Sequence, residues 1–144
     1  MSAAGAGMAT RRTFGSGGPW EEIYGYSRAV RVGDIVHVAG TTAALPDGGV
    51  EGGADVAAQA RVVFDRIEAA LAQAGARLAD VVRTRMYVVP GVDTDAVGRV
   101  HGERFAHVRP ASTLVVVHAL VRADLLIEIE AEAIVPPEPG NPVP

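Results

Sequence analysis

The segment "ADVAAQARVVFDRIEAALAQAG" (54–75) constrains this chain more than any other stretch. Val56, Ala60, Val63, Ile67, Leu71 and Ala74 recur at three- and four-residue steps, laying one apolar stripe along a helix. Asp55 stands where an N-cap is wanted, and Gly75 where a helix stops. Such a stripe has to be buried against something, and its small residues let the helix lie close to a sheet. Runs with strand character stand on both sides of it.

"SRAVRVGDIVHVAG" (27–40) holds two alternating runs around Gly33-Asp34, the signal of a hairpin. "TTAALPDGGVEGG" (41–53) reads as a loop, and "DVVRTRMYVV" (80–89) as a third strand closed by Pro90-Gly91. "DTDAVGRVHGERFAHV" (93–108) is a second, weaker helix with glycines inside it. "STLVVVHAL" (112–120) and "LLIEIEAEAIV" (125–135) are the last strands, joined by a short turn at "VRAD". The order ββαβαββ predicts an α+β two-layer sandwich, two helices against a four- or five-stranded sheet. One face of that sheet stays uncovered, and strands this apolar predict that other subunits bury it. The Gly/Ala/Ser-rich residues 1–19 and the Pro-rich residues 137–144 read as mobile tails around a single domain, 20–136. Met8 could equally be the start.

Composition removes several classes of function. The 144 residues are 49% apolar and 21% charged, with net charge −4 and a pI near 5.5. The 13 cationic residues are scattered and aromatics are 5%, so the basic, ring-studded groove that nucleic acid needs is missing. Cysteine is absent, which excludes disulfides and thiolate chemistry. No signal-peptide core and no membrane-length apolar run is present, which predicts a cytoplasmic protein without a membrane partner.

Along the last strand Glu128, Glu130 and Glu132 share one face, while Ile127, Ile129, Ala131 and Ala133 share the other. Arg83 and Arg85 alternate likewise and are natural partners for the acids. A carboxylate held that way can also orient water as a general base. His37 and His118 lie inside apolar strands and read as structural. His101, Glu103 and His107 lack HExxH order, so no metal is expected. Gly40, at the end of a strand, reads as a tight bend. "RPASTLVVV" (109–117) sets Ser112 and Thr113 at a strand mouth but is no nucleophile elbow.

Taken together, "GYSRAVRVGDIVHVAGTTA", "QARVVFDRIEAALAQAGARLADVVRTRMYV" and "RPASTLVVVHALVRADLLIEIEAEA" resemble the Rid family, the reactive-intermediate deaminases of YjgF type, from about Gly25 to Val135. The resemblance implies a chorismate-mutase-like fold, a homotrimer with its sheets facing inward as a barrel, and small-molecule clefts between subunits. It implies no cofactor. Tyr26 matches the family's tyrosine before the first strand, and Glu128 the glutamate of its last strand. Ala39-Gly40 stands for a Ser-Gly pair, and Gly98 for an asparagine. Where the family reads P-A-R-S, this chain reads Pro110-Ala111-Ser112-Thr113, so Ser112 replaces the arginine that grips the substrate carboxylate. A serine cannot supply a guanidinium's paired, charge-assisted bonds. Arg109, before the proline, does not restore them. The expected activity is therefore hydrolysis of a small enamine, imine or related carbonyl compound without the 2-imino-carboxylate handle. Glu128 would position water and Tyr26 close the pocket. Gly40, Ser112, Thr113, His101 and an inward-reaching Arg85 would bind substrate. A non-catalytic ligand-binding or protein-protecting trimer is the alternative. The acidic pI argues against the ribonuclease label that the family sometimes carries.

Overall fold

A computed structural model describes residues 9–137 of the chain. The strands are β1 (Arg11–Phe14), β2 (Ala29–Val32), β3 (Ile35–Thr41), β4 (Val81–Val88), β5 (Ala111–Val116) and β6 (Ile127–Ile134). The helices are α1 (Pro19–Tyr24), α2 (Val56–Gln73) and α3 (Thr94–Phe105). One six-stranded sheet runs in the order β1-β2-β3-β6-β4-β5. All pairs are antiparallel except β4 with β5. A parallel pair needs a crossover, and α3 supplies it. β3 and β4 also run in the same direction with β6 between them, so α2 is the crossover of a second such unit.

α2 forms where its periodicity places it. Asp55 caps it by accepting from the Ala57 and Ala58 amides at 2.9 and 3.3 Å. Its other end closes at Gly75, whose φ of +76° is left-handed. Arg31 donates to the freed Ala74 carbonyl at 2.8 Å. Ala60 and Ala74 are fully buried beside Phe64, Ile67 and Leu71. Each large side chain withdrawn this way contributes about 1.5–3 kcal/mol. α3 lies alongside, joined to α2 by the Arg61–Glu103 pair at 2.8 Å and the Arg104–Asp65 pair at 2.7 Å. No helix is long and apolar enough to cross a membrane among the described residues.

Gln59 ties the layers together. It is fully buried, donates to the Gly53 and Asp124 carbonyls at 2.7 and 3.0 Å, and accepts from the Leu126 amide at 2.9 Å. The loop after β5 is thereby fastened to the first turns of α2.

Three expectations need correction. The sheet has a sixth strand: Arg11–Phe14, read as part of a tail ending at residue 19, pairs antiparallel with Ala29–Val32, and α1 follows at residues 19–24. Four residues lack the length for a periodic signal, so only the neighbouring edge reveals them. The outer portions of both expected tails, 1–8 and 138–144, lie outside the described residues. The last two strands are not neighbours either, because β4 intervenes, and β5 ends at Val116 with a loop in place of a short turn. His118 therefore stands exposed in that loop, outside any strand, whereas His37 lies within β3 as expected, exposed on its open face. Finally, the uncovered sheet face is charged at its centre, with apolar residues at its rim such as Ile35 and Ile134, 47% and 51% exposed.

Candidate functional site

The hairpin begins the site. Gly33, with φ +59°, takes the left-handed corner of the two-residue turn between β2 and β3. The register Ala29↔Val38 follows from it. At the far end of β3 the pairing with β6 slips between Val38 and Thr41, a bulge at Ala39-Gly40. Gly40 is required there. A Cβ would overlap Glu128 Oε1 and lie 3.1 Å from its Cδ. The expected tight bend is thus also a seat for a carboxylate.

Glu128 is half-buried on that seat. Burial pushes its carboxyl above the usual range, Arg28 opposes this, and Glu130 adds to it. The Arg28 guanidinium donates through one nitrogen to the Gly40 carbonyl and the Thr41 hydroxyl, both at 2.8 Å. Its Nε lies 3.8 Å from Glu21 of α1, and its guanidinium carbon 5.7 Å from the Tyr26 ring centre. Tyr26 itself is 40% exposed, next to the exposed, mutually stacked Trp20 and Tyr24. The structure therefore sets Glu128 on Gly40, and Arg28 links that pair to Tyr26. Arg28 belongs with them and was missed. Its signal was a charged residue in "YSRAV" between Tyr26 and the buried Ala29.

Arg85 does not join this group. It donates to Glu132 at 2.8 Å and lies 3.7 Å from Glu130, on the open sheet face. That pairing holds the Glu132 carboxyl below its usual range. Tyr87 donates to Glu130 at 2.7 Å, which raises the phenol's pKa. The acidic face is thus partly neutralised by its own strand neighbour, as alternation along β4 and β6 implied. A shallow hollow of about 200 Å³ lies beside it, between His37, Arg85, Glu130 and Glu132.

Ser112 and Thr113 do not act as a pair. Their register partners are Thr84 and Arg85, so strand alternation sends Ser112 toward the helices and Thr113 to the open face. The buried Thr84 hydroxyl meets Ser112 Oγ at 2.9 Å and His101 Nε2 at 2.9 Å. Burial lowers the His101 pKa, which favours the uncharged ring. Thr84 was missed in sequence, although a polar residue in the apolar phase of "VVRTRMYVV" was the available sign. Arg109 is exposed with φ +54° and caps α3 through its amide, which donates to the Phe105 carbonyl at 2.8 Å.

Two half-sites result: Glu128 with Gly40, Tyr26 and Arg28 at the β3–β6 junction, and Ser112 with Thr84 and His101 at the β5 edge. Two strand spacings, about 10 Å, and the thickness of the sheet separate them.

Comparison with known proteins bears on the chain as a whole. Residues 20–135 match the model of the endoribonuclease L-PSP family. An uncharacterised protein of Streptomyces coelicolor is 44% identical over 118 residues, 82% of this chain and 87% of that one. The 3-aminoacrylate deaminase RutC of Acinetobacter baylyi is 36% identical over 108 residues, 75% of this chain and 85% of its own. A solved structure of a YjgF/YER057c/UK114-family protein from Mycobacterium tuberculosis matches with a TM-score of 0.79 at 49% identity, covering 88% of this chain and 100% of that one.

Proposed function

From the premise that this chain belongs to the endoribonuclease L-PSP family, the YjgF/Rid proteins, we propose that it hydrolyses a small imine or enamine in clefts formed between copies of the chain. The observation that carries this reading is the half-buried Glu128 carboxyl, seated on Gly40 within the field of Arg28.

Water adds to the carbon of the protonated C=N bond while Glu128 accepts a proton from it. The same carboxyl gives that proton to the nitrogen of the resulting carbinolamine, and ammonia leaves as the hydroxyl returns its proton to Glu128 and becomes the carbonyl. Burial raises the pKa of this carboxyl, which suits a group that has to take up a proton and hand it back. Arg28 holds the Gly40 carbonyl and so fixes the wall behind Glu128. By the resemblance, Ser112 takes the place of the family's carboxylate-gripping arginine, which supports a substrate that lacks that handle.

Both half-sites serve one reaction only if two copies meet. The β5 edge supports this, since Val115 and Val116 are 41% and 57% exposed on a strand whose outer side is unpaired among the described residues. Single molecules seldom leave such an edge bare.

The test measures purified protein against freshly generated 2-aminoacrylate-type and uncharged imines, with Glu128→Gln as control. Release of ammonia faster than buffer, lost in the variant, is the expected result. Equal rates with and without protein on every compound would remove the reading, and ligands recovered unchanged would favour a binding role.

A further inference from the structure

We propose that His101, Thr84 and Ser112 form a directed hydrogen-bond chain that presents the Ser112 hydroxyl as a donor, selecting substrates with a neutral oxygen acceptor, such as an amide or ketone, over carboxylates. The inference rests on the site reading above, with Ser112 facing a cleft.

A threonine hydroxyl has one proton and two lone pairs. Either oxygen of the Thr84–Ser112 contact at 2.9 Å can donate, and in the proposed chain Thr84 gives its proton to Ser112 Oγ. Its contact with His101 at 2.9 Å must then run the other way, from Nε2–H into a lone pair of Thr84. The Ser112 oxygen has accepted one bond, and its own proton remains to be given. Ser112 is exposed at the edge of the sheet, so that proton points to whatever docks there. Each link polarises the next, so the terminal hydroxyl is a better donor than an isolated serine.

The chain is held by packing. Thr84 is fully buried. The His101 ring centre lies 5.9 Å from that of Phe64 and 4.8 Å from that of Phe105, between the two helices. A threonine at that phase of β4 would otherwise be an unneeded polar atom in the core. Its two partners give it a reason. The result is a fixed, uncharged donor at the position where relatives of the Rid type place a guanidinium. One proton matches one lone pair of a carbonyl oxygen. A carboxylate would meet the same proton without any compensating charge, and its desolvation would go unpaid.

Two turnover-independent measurements test this, so their failure is separable from failure of the hydrolytic reading. Two-bond ¹⁵N–¹H spectra, assigned with a His101→Gln variant, should show the His101 proton on Nε2. A proton on Nδ1 overturns the chain's direction and the proposal with it. The second follows the amide signals of β5 during titration with 2-oxobutanamide and with 2-oxobutanoate. The amide should bind at least about tenfold more tightly than the carboxylate, the discrimination one polar contact can provide. Ser112→Arg should reverse the order, Ser112→Ala should abolish the preference, and Thr84→Ser should keep it. Thr84→Val should weaken the amide alone. Equal or tighter binding of 2-oxobutanoate to the unaltered protein overturns the proposal.

Discussion

Gly40→Ala separates catalysis from stability in a way that tests the seat of Glu128. The added methyl overlaps Glu128 Oε1, and the carboxyl has to retreat by about 1 Å before ordinary van der Waals contact returns. Gly40 is not in the left-handed region, so the backbone accepts alanine. Removing glycine's unfolded-state freedom then stabilises by about 0.4–1 kcal/mol. Holding the carboxyl off its preferred rotamer costs about 0.5–1.5 kcal/mol. The two nearly cancel, and a net change within about 1 kcal/mol moves the melting temperature by only about 2–4 °C. The rate tells a different story, because a 1 Å displacement of a reacting group costs about a hundredfold. The assay is kcat/KM on the imine turned over by the unaltered protein, with thermal melts alongside. Gly102→Ala is the control: nothing lies within 4 Å of its Cβ position on α3, so that variant keeps its rate and melts no lower. If Gly40→Ala retains full activity, the carboxyl against Gly40 is not the reacting group. If it fails to fold, the flexibility assigned to Glu128 is wrong.

Glu128→Gln should be more heat-stable than the parent at neutral pH. Burial raises this carboxyl's folded-state pKa, so its contribution to stability is whole below the unfolded-state value and is lost as pH rises through the folded one. Melting curves should therefore converge on acidification through the carboxylate range, and a variant less stable at every pH would contradict the burial argument. Gln59→Leu strands the Leu126 amide and loosens the Gly53 and Asp124 carbonyls, a loss of about 2–4 kcal/mol readable by urea titration. Val116→Asp puts a charge on the exposed β5 edge and should shift the protein to single chains in sedimentation velocity, with activity lost in step. A parent that already sediments as a single chain with activity would refute the shared cleft.

The fold was legible wherever period and punctuation agreed. The stripe Val56–Ala74, the Gly33-Asp34 corner and the alternation of Glu128, Glu130 and Glu132 each stand as the sequence implies. What escaped was pairing across the sheet. β1 is too short to declare itself, and nothing local in "STLVVV" says that its strand lies parallel to β4 at an edge. The site shows the same boundary. Gly40 and Glu128 lie against each other, and Tyr26 packs on Arg28 beside them. Arg28 entered unannounced because its partners are a backbone carbonyl and a distant carboxylate. Alternation already paired Arg85 with the acids of β6, and that pairing keeps it out of the substrate role the resemblance suggested, while the adjacent hydroxyls Ser112 and Thr113 face opposite layers.

The central place of β6 has a consequence for how the molecule comes into being. It enters between β3 and β4 although it is the latest strand in chain order. A nascent polypeptide thus leaves the ribosome carrying two open seams, each ready to pair with a neighbouring molecule, until the wedge at Ile127–Ile134 closes both together. Such long-range closure is slow and leaves edges exposed in the interval. Damage to those eight residues would therefore split the sheet through its middle, whereas equal damage to β1 would only trim its border.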